Sequence, residues 1–331
     1  MKILVTGGAG YIGSHICLEL FNEGYTPIIV DNFSTSNEKN IVYLKQISKT
    51  HINIENVDIC DNKALENVFR KHDNIDAIIH CAGLKSVPES ILNPLEYFSV
   101  NVSGSINLLQ LSQKYKVGKF IFSSSASVYG ESSISPLSEE TELKPNHPYA
   151  ESKAIIEKIL KRFIQVNKDY SSVVLRYFNP IGSHPSGELN SNEKHDNLNL
   201  MSYLLKTVKG DQPFLEIYGY DYDSNDGTAV RDFVHVVDLA KAHVKSLKYL
   251  EHNQGYSIFN IGTGTGVSVL DLVKAFEEVN NIHIPIEFCE RRKGDIGISY
   301  ASVDKATTIL GWKAQKNLKE MCRDSWNRVK S

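Results

Sequence analysis

The chain of 331 residues is 41% hydrophobic and 23% charged, with a formal net charge of −3, the balance of a globular protein of about two domains. No long basic run marks a nucleic-acid surface, and no apolar run reaches the roughly 18 residues of a membrane span. Five scattered cysteines (Cys17, Cys60, Cys81, Cys289 and Cys322), with no C-x-x-C pair, argue for reduced thiols in the cytoplasm, and against a disulfide framework or a zinc site.

Lys2 to Thr6 is a short apolar run that reads as a strand rather than a signal peptide. Gly7-Gly8-Ala9-Gly10-Tyr11-Ile12-Gly13 then turns into a helix expected over Ser14 to Asn22. Ile28 to Val30 follows as a second strand and ends at Asp31. Strand, glycine turn, helix, strand and acid are the order that a dinucleotide site requires. Gly7 and Gly10 allow the tight turn and the close approach of a pyrophosphate, and Gly13 lets the helix pack on the strand. The helix N-terminus favours phosphate charge. A carboxylate at Asp31 accepts from a ribose 2′-hydroxyl and repels a 2′-phosphate, so NAD is expected over NADP.

Further strands are expected over Ile52 to Val57, Ala77 to His80, Lys119 to Phe122 and Ser172 to Tyr177. Helical stretches alternate with them near Lys63 to His72, Pro94 to Tyr115 and Tyr149 to Asn167. That alternation predicts an α/β fold with a Rossmann-type doubly wound parallel sheet, its ligand crevice at the strands' C-terminal ends. Asp58-Ile59, Cys81-Ala82-Gly83, Ser123-Ser124-Ser125 and Phe178-Asn179 stand at those ends.

After Asn179 the character changes. His184 to Asn199 reads as an irregular excursion over the crevice. A helix is expected over Leu200 to Lys209, strands over Phe214 to Tyr218 and Ile286 to Glu290, and a helix over Asp271 to Val279. Ser257 to Ile261 reads as a strand returning to the first sheet. The expected division is therefore a cofactor domain over 1–180, rejoined by about 232–265, and a smaller α/β substrate domain over 181–331.

The chemistry is concentrated in Tyr149-Ala150-Glu151-Ser152-Lys153. Two residues four apart on a helix share a face, so a phenol and an ammonium can act on one point. A neighbouring Lys⁺ favours phenolate, lowering a reference pKa of about 10 and making tyrosine usable as an acid and base. The same spacing recurs at Tyr115 and Lys119, but Gly118 and the apolar run after it read as a helix ending and a strand beginning, which separates that pair.

These motifs, together with Ala82-Gly83-Leu84-Lys85, Leu175-Arg176-Tyr177-Phe178-Asn179-Pro180, Val230-Arg231-Asp232-Phe233-Val234-His235 and Arg291-Arg292-Lys293-Gly294-Asp295, run through nearly the whole chain. The chain resembles the extended short-chain dehydrogenase/reductase family, and within it the UDP-glucose (UDP-galactose) 4-epimerases. The resemblance implies that Tyr149 is the acid and base, that Lys153 holds the nicotinamide ribose and lowers the tyrosine's pKa, and that Ser125 hydrogen-bonds the sugar O4. It implies NAD contacts at Gly7, Gly10, Tyr11, Ile12, Gly13, Asp31, Asn32, Thr35, Ser36, Asp58, Ile59, Cys81, Ala82, Gly83, Lys85, Tyr149, Lys153 and Phe178. It implies UDP-sugar contacts at Ser125, Tyr149, Asn179, Asn199, Leu200, Tyr218, Arg231, Arg292, Asp295 and Ser299. It also implies a homodimer joined by the helices near Pro94 to Tyr115 and Tyr149 to Asn167. Ser202 and Val100 depart from the family pattern, standing where a proline and an asparagine are usual.

Three reactions begin with the same C4 oxidation: epimerisation, 4,6-dehydration and decarboxylation. Dehydratases place an Asp-Glu pair after the strand-end hydroxyl, and decarboxylases place a glutamate in this segment. Here the positions are Ala126 and Ser127, neither able to move a proton at neutral pH. A non-catalytic NAD-binding protein is the reading from another class, set against the presence of Ser125, Tyr149 and Lys153. In the resembling family a residue at the position of Ser299 walls the sugar's C2 substituent. A tyrosine there suits glucose and galactose, and a smaller residue admits N-acetyl sugars. Tyr300 is expected to face away from Ser299, because side chains alternate in an extended segment.

Overall fold

The computed structural model describes residues 1–48, 52–130, 134–189, 199–292 and 295–330. Strand and helix alternate from the start: β1 (Lys2–Thr6), α1 (Tyr11–Asn22), β2 (Thr26–Asp31), α2 (Glu38–Ser48), β3 (Asn53–Asn56), α3 (Asn62–Lys71) and β4 (Ile75–His80). Three helices follow, α4 (Val87–Leu92), α5 (Pro94–Tyr97) and α6 (Gly104–Lys114), the last two joined by a π-helical turn over Phe98–Ser103. Next come β5 (Lys119–Ser125), a 3₁₀ turn over Ala126–Tyr129, α7 (Pro148–Val166), β6 (Ser171–Tyr177) and β7 (Asn179–Ile181). The remainder comprises α8 (Leu200–Lys209), β8 (Leu215–Tyr218), β9 (Val230–Arg231), β10 (Phe233–His235), α9 (Val236–His252), β11 (Gly255–Ile261) and β12 (Val267–Ser268). The chain ends with α10 (Val269–Asn280), β13 (Ile286–Cys289), β14 (Ile298–Ser299), α11 (Asp304–Thr308) and α12 (Leu318–Lys330).

Seven strands form one sheet in the order β11-β6-β5-β4-β1-β2-β3, and every pairing within it is parallel. Successive side chains in a strand point to opposite faces, and both faces here are covered. Ile3 and Val5 of β1, Ile121 of β5 and Leu175 of β6 pack against Ile16 and Leu20 of α1 and Leu239 and Leu247 of α9. Leu4, Phe120, Phe122 and Val174 turn the other way, against Leu65 and Val68 of α3, Leu108 of α6 and Ile156 and Leu160 of α7. The strand β11 lies beside β6 over its whole length, so the late segment does return to the first sheet. A separate core gathers Met201, Leu204 and Leu205 of α8, Leu215 of β8, Leu272 and Phe276 of α10, and Met321 of α12.

The expected elements are present, with displaced ends. Helix α1 begins at Tyr11 rather than Ser14, because Gly10 already serves as its N-cap. The single helix expected over Pro94 to Tyr115 is broken into α5, the π turn and α6, and the extra residue in that turn re-aims Asn101 inward. Helices α2, α4, α9, α11 and α12 carry no strong motif and lie outside the expected elements. Residues 190–198 of the expected excursion, and Lys293 and Gly294 of the arginine-rich motif, lie outside the described residues. Among the described residues no helix is long and apolar enough to cross a membrane.

Candidate active site

The glycine turn is fixed by close packing. A Cβ on Gly13 would lie 2.0 Å from the Gly7 carbonyl oxygen, and one on Gly7, whose φ is +68°, would lie 2.8 Å from the Ala82 nitrogen. Only glycine fits either place. Helix α1 starts at Gly10 with no side-chain cap, so its first-turn N–H groups are left facing outward for an anion. The residue between, Ala9, is held at both ends: its N–H donates to Asp31 Oδ2 at 3.0 Å, and its carbonyl accepts from the buried Asn40 amide at 2.9 Å. Asp31 Oδ1 accepts from Phe33 N–H and from the Ser36 hydroxyl, at 2.9 and 2.8 Å. The carboxylate expected at a ribose is thus also the brace of the phosphate turn, and Thr35 sits partly buried beside it.

The neighbouring strand ends are braced in the same manner. Asn32 donates to Asp58 Oδ2 at 2.8 Å, and Cys60 N–H donates to Asp58 Oδ1 at 2.8 Å. Burial pushes the Asp58 carboxyl up, but these hydrogen bonds outweigh it and hold the group below the usual range. Ile59 is buried against Gly104, where a Cβ would come within 2.6 Å of the Ile59 side chain. Past β4, Asn101 grips Leu84 by both backbone groups, at 2.8 and 3.0 Å, and donates to Ser152 Oγ on α7 at 3.0 Å. This one side chain fixes Cys81-Ala82-Gly83-Leu84 relative to the helix that carries Lys153. Tyr11 donates to the Gly182 carbonyl at 2.6 Å, Phe178 is buried in a small cluster with Val128 and Ala301, and Lys85 is exposed.

Tyr149 and Lys153 lie on α7, and the Ser125 hydroxyl hydrogen-bonds the Tyr149 phenol. Helix α7 starts at Pro148, with the His147 imidazole accepting from Ala150 N–H, so Tyr149 and Lys153 fall one turn apart on the same face. The His147 and Tyr149 rings are stacked at 6.0 Å. Lys153 Nζ donates to the Ser123 carbonyl at 2.9 Å and lies 4.9 Å from the Phe122 ring centroid and 5.9 Å from that of Tyr149. Burial lowers the Lys153 pKa to about 8, with Cys81 and Glu157 opposing it.

One expectation changes sign. Burial pushes the Tyr149 phenol above its ordinary value, and it is the Ser125 hydrogen bond, not Lys153, that pulls it back. The lysine's ammonium donates to the Ser123 carbonyl. The depression of Tyr149 expected from a four-residue spacing is therefore not carried by this pair in the protein alone.

Of the residues expected at the nucleotide sugar, Asn199, Leu200, Tyr218, Arg231, Arg292, Asp295 and Ser299 follow β7 in the chain, and Asn179 begins that strand. Arg231 pairs with Asp295 at 2.6 Å and also donates to the carbonyls of Val230 and Gly297, which presets its guanidinium. The Arg292 guanidinium lies 3.7 Å over the Tyr218 ring. Asn179 is exposed beside the buried Phe178. Asn199 caps α8, its Oδ1 accepting from Ser202 N–H and Oγ–H at 2.9 and 3.0 Å, ahead of a half-buried Leu200. Ser202, unusual at that position, supplies both donors of the cap, which a proline could not. Ser299 of β14 sits opposite Arg231 of β9, and its carbonyl accepts from Asp232 N–H at 3.1 Å. The Asp232 carboxylate takes Thr263, Gly264 and Ala301 N–H groups at 2.7–3.1 Å, tying this strand to the end of β11. Asn40 and Asn101 carry no local motif, Asp232 and Ser127 stand in quoted segments without an assigned part, and sequence reasoning missed the role of all four.

The chain matches the NAD dependent epimerase/dehydratase family over residues 3–262. It is 44% identical over 326 residues to a UDP-glucose 4-epimerase of Bacillus subtilis, covering 98% of this chain and 96% of that protein. A crystal structure of UDP-glucose-4-epimerase from Stenotrophomonas maltophila with bound NAD and formylated UDP-arabinopyranose superposes with a TM-score of 0.97 at 40% identity, covering 100% of this chain and 98% of that one. The UDP-glucose 4-epimerase of Bifidobacterium longum in complex with NAD⁺ and UDP gives a TM-score of 0.95 at 41% identity, with the same coverage.

The lowered pKa of Lys153 has a consequence for stability. A cation whose pKa is about 8 when folded and 10.5 in the open chain burdens the fold below pH 8 and ceases to do so as pH rises towards 10. Lys153→Met is expected to stabilise the protein at pH 7 by up to about 3 kcal/mol while abolishing turnover. Melting curves of both proteins from pH 7 to 10 check this, with the gap closing as pH rises.

Proposed function

The chain belongs to the NAD dependent epimerase/dehydratase family, and we propose that it acts there as a UDP-glucose 4-epimerase interconverting UDP-glucose and UDP-galactose. The observation that carries this reading is the convergence of Ser125, Tyr149 and Lys153 beside a dinucleotide turn, with Ala126 and Ser127 where a lyase would carry its acid and base. The cofactor is NAD. Its fit rests on the uncapped start of α1, on the Gly7–Gly13 packing that brings helix and strand together, and on Asp31 at the end of β2. When bound, NAD takes and returns a hydride at the sugar's C4. The residues of the chain do the rest. Tyr149 removes the O4 proton as the C4 hydrogen leaves and returns it when hydrogen comes back to the opposite face. Ser125 donates towards the tyrosine oxygen and steadies its anion. Lys153, anchored on the Ser123 carbonyl, presents the rest of its ammonium to the cofactor's ribose.

Arg231 and Arg292 supply the forked donors that pair with a diphosphate, and Asp295 sets the first of them. The division of labour follows the two cores: the seven-stranded body, about 1–180 rejoined by 232–265, holds cofactor and proton machinery, and the second body, in 181–331, holds the nucleotide. Ala126 and Ser127 disfavour the lyases, which need a proton-moving group there. Tyr149→Phe is expected to lower turnover of UDP-galactose by about 10²- to 10⁴-fold while UDP still binds, measured by coupled assay and calorimetry. A variant that retained wild-type turnover would remove Tyr149 from the reaction.

The same site also accepts UDP-N-acetylglucosamine and UDP-N-acetylgalactosamine in this reading. Ser299 leaves space that a phenol ring would fill, and Tyr300 does not take it back, because its ring packs over Gly266 and its N–H donates to Ser135 Oγ at 3.2 Å. Ser299→Tyr is expected to lower the N-acetyl reaction about tenfold or more, since overpacking a formed pocket costs about 1–3 kcal/mol, and to spare the glucose pair. The ratio of the two rates decides it.

The protein works in the cytoplasm as a homodimer, on this reading. Ile91 and Leu92 of α4, Leu95 of α5 and Ile155 of α7 are 61, 78, 83 and 39% exposed, an apolar surface suited to a second copy. Leu95→Glu is expected to shift the mass measured by light scattering from dimer to monomer. A monomeric wild type would overturn this.

A further inference from the structure

We infer that Ser127 is a positioning residue that turns the Ser125 hydroxyl so that it donates to the Tyr149 oxygen, an inference resting on the proton-transfer reading above. A serine hydroxyl has one proton and two lone pairs. Ser125 ends β5 in an extended conformation at φ −141°, and the 3₁₀ turn over Ala126–Tyr129 folds Ser127 back above it. Ser127 then donates twice to Ser125 Oγ, from its N–H at 3.2 Å and from its hydroxyl at 2.9 Å. Both lone pairs of Ser125 are taken, and its proton is what remains to offer. A donor facing Tyr149 favours phenolate, and an acceptor there would favour the neutral phenol. Ser127 therefore sets the sign of Ser125's influence on the group that moves the proton. The residue stands where a lyase would carry an acid and base, and here it serves the neighbouring hydroxyl instead.

The other titratable groups facing Tyr149 do not take over this part. His147 is stacked on the ring at 6.0 Å, and burial lowers its pKa, so it is neutral in the alkaline range. Burial pushes the Tyr177 phenol well up, so it stays protonated. Lys153 loses charge near pH 8, but it does so equally in variants at position 127.

The test compares the NAD-loaded wild type with Ser127→Ala and Ser127→Thr. Two quantities are followed from pH 6 to 11.5: the rate on UDP-galactose, and the phenolate absorbance that disappears in Tyr149→Phe. Loss of one hydrogen bond into Ser125 is expected to lower kcat of Ser127→Ala about 5- to 20-fold at pH 7, with KM within about twofold. The alkaline rise in kcat and the Tyr149 titration should both move up by about half to one pH unit. Ser127→Thr, which keeps the hydroxyl, should restore both. A wild-type profile in Ser127→Ala overturns the proposal. So does an equal loss at every pH with the titration unmoved, or a Ser127→Thr that restores neither quantity. A wild type inactive on UDP-galactose would instead overturn the epimerase reading, and the absorbance titration would still decide the role of Ser127.

Discussion

The site depends on one buried ion pair. Glu157, one turn beyond Lys153 on α7, and Arg176 on β6 are each 3% exposed and meet through Nε and Nη2 at 2.6–3.2 Å. Two charges taken out of water cost several kcal/mol apiece unless their remaining hydrogen-bonding groups are met. Here they are met. Ser124 donates to Glu157 at 2.6 Å, and Arg176 donates to the Tyr129 hydroxyl at 3.0 Å, which itself donates to Asn260 at 2.6 Å. The pair therefore locks α7 to β5 at Ser124, one residue from Ser125, and to β11 through Asn260. Tyr149, Lys153 and Ser125 come from two elements whose register that network sets. A core of leucines would hold the helix as firmly and its rotation about the axis less well.

The cofactor side applies the same economy to backbone. A glycine turn that presents its amides to a phosphate cannot also spend them on the fold, so the turn is gripped elsewhere. Asp31 takes the N–H of Ala9 and Asn40 its carbonyl. Asn101 does the equivalent for the turn after β4, and the π turn that carries it is a local distortion with a purpose. Burial in this region keeps His80 neutral, lowering its pKa to about 3, so it can bridge Thr6 and Ser105 without adding a charge near Lys153.

Around Arg231 and Arg292 the anchoring is looser and more exposed. The Arg231–Asp295 pair and the Arg292–Tyr218 stack each join a short strand, β9 or β8, to a residue between β13 and β14, and the buried Asp232 ties β9 and β14 to the end of β11. The strand bearing Ser299 takes its position from Asp232, whose N–H donates to the Ser299 carbonyl and whose carboxylate accepts from Ala301 N–H.

The sequence by itself determined what short-range geometry encodes. Glycines three apart before a helix, an acid at the next strand end, and a tyrosine and lysine one helical turn apart have few structural readings, because each constraint acts within a few residues. Alternating apolar runs likewise required a sheet covered on both faces. Tertiary structure alone decided what joins distant segments: Asn40 to Ala9, Asn101 to Leu84 and Ser152, Glu157 to Arg176, and Asp232 to Ala301. It also decided the sign of the shift at Tyr149. Spacing places a lysine near a phenol, but the direction of Nζ and the balance of burial against the Ser125 hydrogen bond depend on three-dimensional packing, which the spacing does not contain.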